Sequence, residues 1–402
     1  MLTVLLTLLG VPVAASALYL LALAVASAFH RPRAARPVPS SRLVVLVPAH
    51  NEAELIARCV ASLRKQRYPS QLYRIVVVAD NCSDQTAAIA RSAGADVLVR
   101  HQPSAPGKGH ALAWAIGHVF SDPIVPDAIV VVDADAVAAS DFLLQLEAEL
   151  AAGHESVQAN DLILTEPGSL RSALEAAVLL LRNGVRFAGR AVLGLPATLC
   201  GNGMLLSRQV LDRHPWSAFT ATEDTEYSIR LRMAGVRTAF AHGARIYAAA
   251  TAGEAGAHTQ GLRWEAGRFR MARQWLLPML GGALRDGRLD LLMDVVDMLV
   301  PAFTVLATLA VAGAGMSGVL IMSGAATPAA FLPWLIGLLA LPVYVFIGLR
   351  AAHAPATCFA ALLLLAPRFA LRKAKIYAHL LSQGEMPGWV RTARPAEARG
   401  RS

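Results

Sequence analysis

Two long stretches of this chain carry no charged side chain: Leu2 to Phe29 and Met298 to Leu349. A helix needs about 20 apolar residues to cross the hydrocarbon core of a bilayer. The first stretch fits one span, mildly interrupted by Pro12. The second is too long for one helix. MSGAATPAA, from Met322 to Ala330, supplies a turn, which predicts two spans at about 298–321 and 330–349. A third apolar piece, Cys358 to Leu371, holds Pro367 and Arg368 and is read as lying flat on the membrane or dipping partway into it. The sequence is 55% hydrophobic and only 16% charged, against roughly a quarter charged for soluble domains. The small residues Ala26 to Ala28 resemble a cleavage site. Nothing basic precedes the first apolar run, however, so it is expected to remain as an anchor and not as a removed signal.

The net charge of +9 sits beside the apolar runs. Arg31, Arg33 and Arg36 follow the first; Arg368, Arg372, Lys373 and Lys375 lie in and after the third. Basic residues flanking spans mark the cytoplasmic side. The expectation is a multi-pass protein of the cell membrane, with its N-terminus outside and the long middle segment in the cytoplasm. Juxtamembrane cations suit lipid headgroups, and no zinc spacing or interleaved aromatic patch points to nucleic acid. Four cysteines without CxxC spacing suggest neither a disulfide framework nor a zinc site. The expected organisation is a membrane helix at 1–29 and a basic, Pro-rich linker at 30–41, followed by an α/β domain at 42–275. An amphipathic interface region at 276–297 leads to the two spans within 298–349. Residues 350–402 form an interfacial or re-entrant helix and a basic tail, with Trp389 as an anchor.

After the linker, short Val/Ile runs alternate with helical stretches. RLVVLVPAH (Arg42 to His50), YRIVVVADN (Tyr73 to Asn81), ADVLVR (Ala95 to Arg100) and AIVVVDADA (Ala128 to Ala136) read as strands. Continuous apolar runs indicate strands covered on both faces, and alternation with helices indicates a mostly parallel sheet. Ligands of such sheets bind beyond the carboxyl ends of the strands. Acids stand there at three strand ends: Glu52, then Asp80 and Asp84, then Asp133 and Asp135. Asp84 has the simpler reading of a cap for the next helix. Asp133 and Asp135 can both turn toward a bound Mg²⁺ or Mn²⁺ and hold it against a diphosphate. No GxGxxG or P-loop spacing is present. Lys108, between two glycines, reads equally as a phosphate contact and as a solvated loop lysine.

In the second half, LCGNGMLLS (Leu199 to Ser207) places Gly201 and Gly203 before an apolar run, as a ligand approach or as a turn before a strand. Glu223, Asp224 and Glu226 open a helical stretch, where acids also suit the helix dipole; the sharper reading makes Asp224 a general base. QGLRWEAGR puts Gln260, Arg263 and Trp264 on one helical face. Arg263 can fork across phosphate oxygens, Trp264 can stack on a sugar ring and Gln260 can pair with hydroxyls. A membrane-surface helix would use the same residue types.

In order, PAHNE, ADNCSD, DAD, TED and QGLRW resemble the motifs of membrane-bound family 2 glycosyltransferases, the group that includes cellulose, chitin, hyaluronan and poly-N-acetylglucosamine synthases. The resemblance spans about Arg42 to Arg273. It implies a GT-A α/β domain with transmembrane helices at both ends, acting on a UDP-sugar with Mg²⁺ or Mn²⁺. By that resemblance Glu52 and Asp80 would meet the uridine end, with Lys108 and Asp133 also on the donor and Asp133 and Asp135 on the metal. Asp224 would be the base of an inverting transfer. Cys200, Gly201, Glu223, Gln260, Arg263 and Trp264 would serve the acceptor and the pyrophosphate. The expected acceptor is a growing polysaccharide, giving a β-linked product. Chain-threading synthases generally have more than three membrane helices, so two alternatives stay open: addition of one sugar to a polyprenyl or other membrane lipid, and a channel completed by a partner subunit or a homo-oligomer. The alternative of a transporter or silent scaffold lacks the intramembrane charges that a transport path uses.

Overall fold

The computed structural model describes residues 1–36, 38–250 and 253–383. The elements begin with α1 (Leu2–Ser27), β1 (Leu43–Ala49), α2 (Ile56–Arg64), β2 (Tyr73–Asp80), α3 (Thr86–Ser92), β3 (Asp96–Arg100) and α4 (Lys108–Phe120). Then come β4 (Ala128–Val131), β5 (Val137–Ala138), α5 (Phe142–Leu150), β6 (Ser156–Leu164), α6 (Leu170–Leu179) and α7 (Arg186–Val192). After them lie β7 (Met204–Ser207), α8 (Arg208–Arg213), α9 (Glu223–Met233), β8 (Thr238–Ala249) and α10 (Gly253–Arg285). The chain goes on through α11 (Leu289–Leu299), α12 (Phe303–Met322), α13 (Leu332–Ala351) and α14 (Ala356–Gln383).

These elements form two compact units. One comprises Arg31–Thr165 and Pro196–Leu291. Its single sheet has the order β3-β2-β1-β4-β7-β6-β8-β5. The pairs β1/β2, β1/β4, β2/β3 and β6/β8 are parallel, whereas β7 runs antiparallel to both its neighbours and β5 antiparallel to β8. Both faces are covered, as the Val/Ile runs require. Val45, Val47, Val77 and Val130 face one apolar layer, with Ile56, Cys59 and Leu63 of α2 and Phe142 and Leu146 of α5. Val44, Leu46, Val76 and Val131 face the other, with Leu112 and Ala115 of α4 and Tyr227 and Leu231 of α9. The fourth strand is shorter than its apolar run, ending at Val131. The DAD segment forms a turn closed by Ala136 N–H to the Asp133 carbonyl at 3.0 Å. That turn leaves the regular pleat and frees both acids from strand geometry.

The other unit comprises Met1–His30, Glu166–Leu195 and the chain from Leu292 through α14. Residues 166–195 lie inside the span that the sequence assigns to the α/β domain, yet they cluster with the apolar helices. Ala177, Leu181 and Val185 share a core with Val13, Ala17 and Leu20 of α1, Ala310 of α12 and Trp334 and Leu341 of α13. A π-helical turn, Leu180–Val185, joins α6 to α7. Its widened ring frees carbonyls, and Tyr344 Oη–H donates to that of Leu181 at 3.1 Å. Among the described residues, three helices are long and apolar enough to cross a membrane: Leu2–Ser27, Phe303–Met322 and Pro328–Ala351. The marginal third piece belongs to one helix, α14, that passes through Pro367. Ala361, Leu362, Leu365 and Phe369 pack on Ala173 and Leu174 of α6, and this burial offsets the hydrogen bond that a proline removes. The tail carrying Trp389 lies outside the described residues.

Within this unit, a buried charge cluster ties α7 to α11. Arg190 is 1% exposed and pairs with Asp294. Arg186 Nη2 reaches Asp297 at 2.6 Å. Tyr19 of α1 donates to Asp297 at 2.9 Å and accepts from Arg190 Nη1 at 3.0 Å. Removing one partner of a buried ion pair strands the other charge. Arg190→Met is expected to destabilise the protein by about 3–5 kcal/mol, and Tyr19→Phe by about 1 kcal/mol. Melting of the detergent-purified variants checks both.

Candidate active site

The site is built where β1, β2 and β4 end and β7 begins. After β1, Asn51 takes a left-handed conformation with φ of 55° and accepts Ser83 N–H on Oδ1 at 2.8 Å. His50 Nδ1 lies 2.8 Å from the Asp80 carbonyl. Glu52, 8% exposed, donates its backbone N–H to Thr86 Oγ1 at 2.8 Å. Asp84 accepts the N–H of Thr86, the first residue of α3, at 2.9 Å and that of Ala53 at 3.1 Å. From the residue before the N-cap Gln85, it thus takes the first N–H of the helix and also stitches the two loops together.

Asp80 is 5% exposed and faces Arg100, 4% exposed, at the end of β3. Arg100 Nη1 donates to Asp80 Oδ1 at 2.5 Å, and Asn81 Nδ2 donates to the same oxygen at 3.0 Å. Arg100 was not legible as a site residue: one arginine closing an apolar strand looks like a solvated end. Its burial with a paired acid is what marks it.

Lys108, the first residue of α4, sits at the centre. Its ammonium donates to Asp133 Oδ1 at 2.5 Å and to the Gly201 carbonyl at 2.6 Å. Burial opposes the charge on Lys108, but Asp133, Glu223 and Asp224 outweigh it and raise its pKa, so the group remains a cation. Of the two readings of Lys108, the solvated loop lysine is excluded. Gly201 has φ of 82°, and a Cβ there would lie 3.0 Å from Asp224 Oδ2 and 3.3 Å from Lys108 Nζ. A glycine lets both side chains close over the same backbone. Lys108, Asp133, Gly201 and Asp224 therefore meet at one point.

Asp224 Oδ1 accepts the Thr225 N–H at 2.6 Å, leaving Oδ2 toward Gly201. Burial raises its pKa, Asp133 adds to the rise, and Lys108 and the Thr225 N–H oppose it. Glu223, 9% exposed, is pushed up to about 7 by burial and by the Asp224 charge, with Lys108 opposing. Cys200 is half-buried; its N–H donates to Gln158 Oε1 at 2.8 Å. Gln158, Asp161 and Asn202 form a buried layer beneath these groups that the sequence reading passed over. In VQAND (Val157 to Asp161) Gln158 and Asp161 look like ordinary strand residues, and in LCGNG Asn202 looks like an ordinary turn residue. Asp161 is pushed up to about 8 by burial, with the charges of Asp133 and Asp135 adding to it and the Asn202 hydrogen bond opposing.

Gln260, Arg263 and Trp264 are half-buried on α10. Gly267 shares their face, one turn on from Arg263. A Cβ on Gly267 would lie 2.2 Å from Thr222 Cγ2, so α10 crosses the start of α9 in close contact. Eight residues further along both helices, Arg230 lies over the Trp275 ring at 5.7 Å. The face carrying Gln260, Arg263 and Trp264 is thereby turned toward the helix that opens with Glu223 and Asp224.

Asp133 and Asp135 offer two hard oxygen donors on one turn. Among the described residues no group of three His, Cys, Asp or Glu could hold a metal. The donor set fits Mg²⁺ or Mn²⁺, which share two carboxylates with phosphate oxygens and water.

Residues 39–267 match the family described as glycosyltransferase like family 2. The chain belongs to that family. Its mixed, mostly parallel sheet with helices on both faces is GT-A-like. A β-monoglucosyldiacylglycerol synthase of Trichormus variabilis is 30% identical over 200 residues, covering 47% of this chain and 41% of that protein. The chain thus spans less than half the length of that relative. The low-salt glycan biosynthesis hexosyltransferase Agl6 of Haloferax volcanii is 37% identical over 82 residues, 20% of this chain and 19% of that one. Among solved structures, the mannosyltransferase PcManGT of Pyrobaculum calidifontis, in complex with GDP-Man and Mn²⁺, aligns with 18% identity and a TM-score of 0.49 over 84% of this chain and 98% of its own.

Glu223 keeps its proton in the folded chain up to about pH 7, against 4.5 for an ordinary glutamate. Folding takes up a proton between those values, so Glu223 favours the folded state most at low pH, and that contribution is lost as pH rises through about 7. Glu223→Gln is expected to flatten the fall in melting temperature between pH 4.5 and about 7, read on the purified protein across that range.

Proposed function

We propose that this protein transfers a single sugar from a UDP-sugar to a hydroxyl of a membrane-lipid acceptor, with inversion at the anomeric carbon. The observation that carries the reading is the meeting of the Asp224 carboxylate, the Lys108 ammonium and the Asp133 carboxylate over Gly201. That geometry places a base and a fixed cation a few ångströms apart, as displacement of a diphosphate requires. Asp224 removes the proton from the acceptor hydroxyl, whose oxygen then attacks the sugar from the face opposite the diphosphate. Lys108 and Arg263 stabilise the negative charge that develops on the departing UDP. A bound Mg²⁺ or Mn²⁺, held by Asp133 and Asp135, would supply further neutralisation of the diphosphate. Glu52 and Asp80 hold the uridine end, with Arg100 fixing the orientation of Asp80. Cys200, Gly201, Glu223, Gln260 and Trp264 receive the acceptor.

Support for a lipid acceptor comes from the similarity to a synthase named for a diacylglycerol product and from the three membrane-length helices. A growing polysaccharide is the acceptor that the wider motif set suggests, and product size separates the two. The basic residues beside the spans favour a cell-membrane protein whose α/β unit faces the cytoplasm.

Membrane vesicles carrying the protein are expected to release UDP from one UDP-sugar in the presence of Mg²⁺ or Mn²⁺. Asp224→Asn is expected to cut that release by about 10²–10⁴-fold, the usual contribution of a general base. The product should run as a lipid bearing one sugar on thin-layer chromatography. A ladder on a gel would instead establish polymer synthesis, and no release from any donor with lipid extract present would sink the transfer reading.

A further inference from the structure

The turn between Cys200 and Gly203 is held from every side. Gly203 N–H donates to the Val131 carbonyl at 2.9 Å, and the Gly203 carbonyl accepts Ala159 N–H at 2.8 Å. Gln158 Nε2 donates to the Asn202 carbonyl at 2.8 Å, while its Oε1 takes the Cys200 N–H. Between two glycines with positive φ, Asn202 turns its side chain inward, 2% exposed. Its Nδ2 donates to Asp161 Oδ1 at 2.8 Å, and its Oδ1 accepts the backbone N–H of Asp133 at 3.1 Å. The amide has one workable orientation, because a flip would turn its NH₂ donor onto the Asp133 N–H, which is itself a donor. The same turn presents the Gly201 carbonyl to Lys108. One side chain thus connects the Asp133 turn to the loop that holds the Lys108 ammonium.

We propose that Asn202 is a positioning residue that holds Asp133 and the Gly201 carbonyl in register on either side of Lys108, so that the donor diphosphate meets a preformed centre. Asp161 keeps the Asn202 amide pointing at Asp133. The assignment rests on the transfer reading given above and adds to it the residue that sets donor affinity. The Asp133 N–H leans on the Asn202 side chain and not on a neighbouring strand. An unsupported turn can swing both carboxylates of the DAD segment away from Lys108, and pre-organisation lost in this way weakens binding before it alters chemistry.

The test compares Asn202→Leu with the reciprocal pair Asn202→Asp plus Asp161→Asn. Leucine keeps the branched skeleton and removes both side-chain bonds. The reciprocal pair restores both, because the carboxylate introduced at position 202 accepts from the Asp133 N–H and from the new amide at position 161. Calorimetry of UDP binding with Mn²⁺ needs no turnover; donor KM and kcat are read separately. Asn202→Leu is expected to weaken UDP binding and raise donor KM by about tenfold or more, the effect of leaving a buried polar group unpaired. Turnover at saturating donor should change far less. The reciprocal pair should bind UDP within about threefold of the parent. A purely structural residue would instead lower the active fraction, cutting kcat with donor KM unchanged; that result overturns the proposal. So does Asn202→Leu binding UDP like the parent, or a reciprocal pair that melts like the parent yet binds as weakly as the leucine variant. If Asn202→Leu does not fold, the reciprocal pair decides alone. The binding pattern appearing in a protein that transfers no sugar would leave Asn202's role standing and reject the transfer reading.

Discussion

The Lys108 ammonium is the interaction on which the site depends. It is shared between a carboxylate from the end of β4 and a carbonyl from the turn before β7, so it joins two neighbouring strands that run in opposite directions. Burial disfavours the charge on this lysine, and the neighbouring acids, Asp133 foremost, outweigh that and raise its pKa. The acids in turn depend on it, since Lys108 opposes the pKa rise of both Glu223 and Asp224. The charges at the centre are interdependent, and no member can be neutralised without altering the rest.

A second ionic cluster lies in the unit of apolar helices. Arg186 and Arg190 of α7 hold Asp294 and Asp297 of α11, and Tyr19 closes the set. No site residue is shared with it. Buried pairs of this kind are weak sources of stability in themselves, yet breaking one is costly because it strands a charge. With the apolar core of Ala177, Leu181 and Val185, the cluster ties residues 166–195, embedded in sequence between β6 and β7, to the apolar helices.

Much of the site was legible one strand end at a time. Glu52, Asp80, Asp133 and Asp135 stand where apolar runs stop, and a parallel sheet puts such ends along one edge. Asp224 and the Gln260, Arg263 and Trp264 face follow from helical spacing, because helical neighbours are local in sequence. Lys108 could not be assigned, since its meaning lies in partners 25 and 93 residues away. Arg100, Gln158, Asp161 and Asn202 escaped for the same reason. Each is a polar residue whose role comes from burial beside a distant partner, and burial of a single polar side chain leaves no periodic trace.

By itself, the sequence determined what local chemistry can determine: three membrane-length apolar helices, strands covered on both faces, and acids at their ends. Those properties follow from hydrophobic period and run length, which act over a few residues. Only the tertiary structure decided the order of the strands, the reversal of β7, the membership of residues 166–195 and the convergence on Gly201. Such features depend on pairings between segments far apart in the chain, which are selected by packing and by the need to satisfy buried charge. The glycine at 201 shows the difference. In sequence it is one small residue in a loop; in the fold it is the only kind of residue that lets Lys108 and Asp224 share the same backbone.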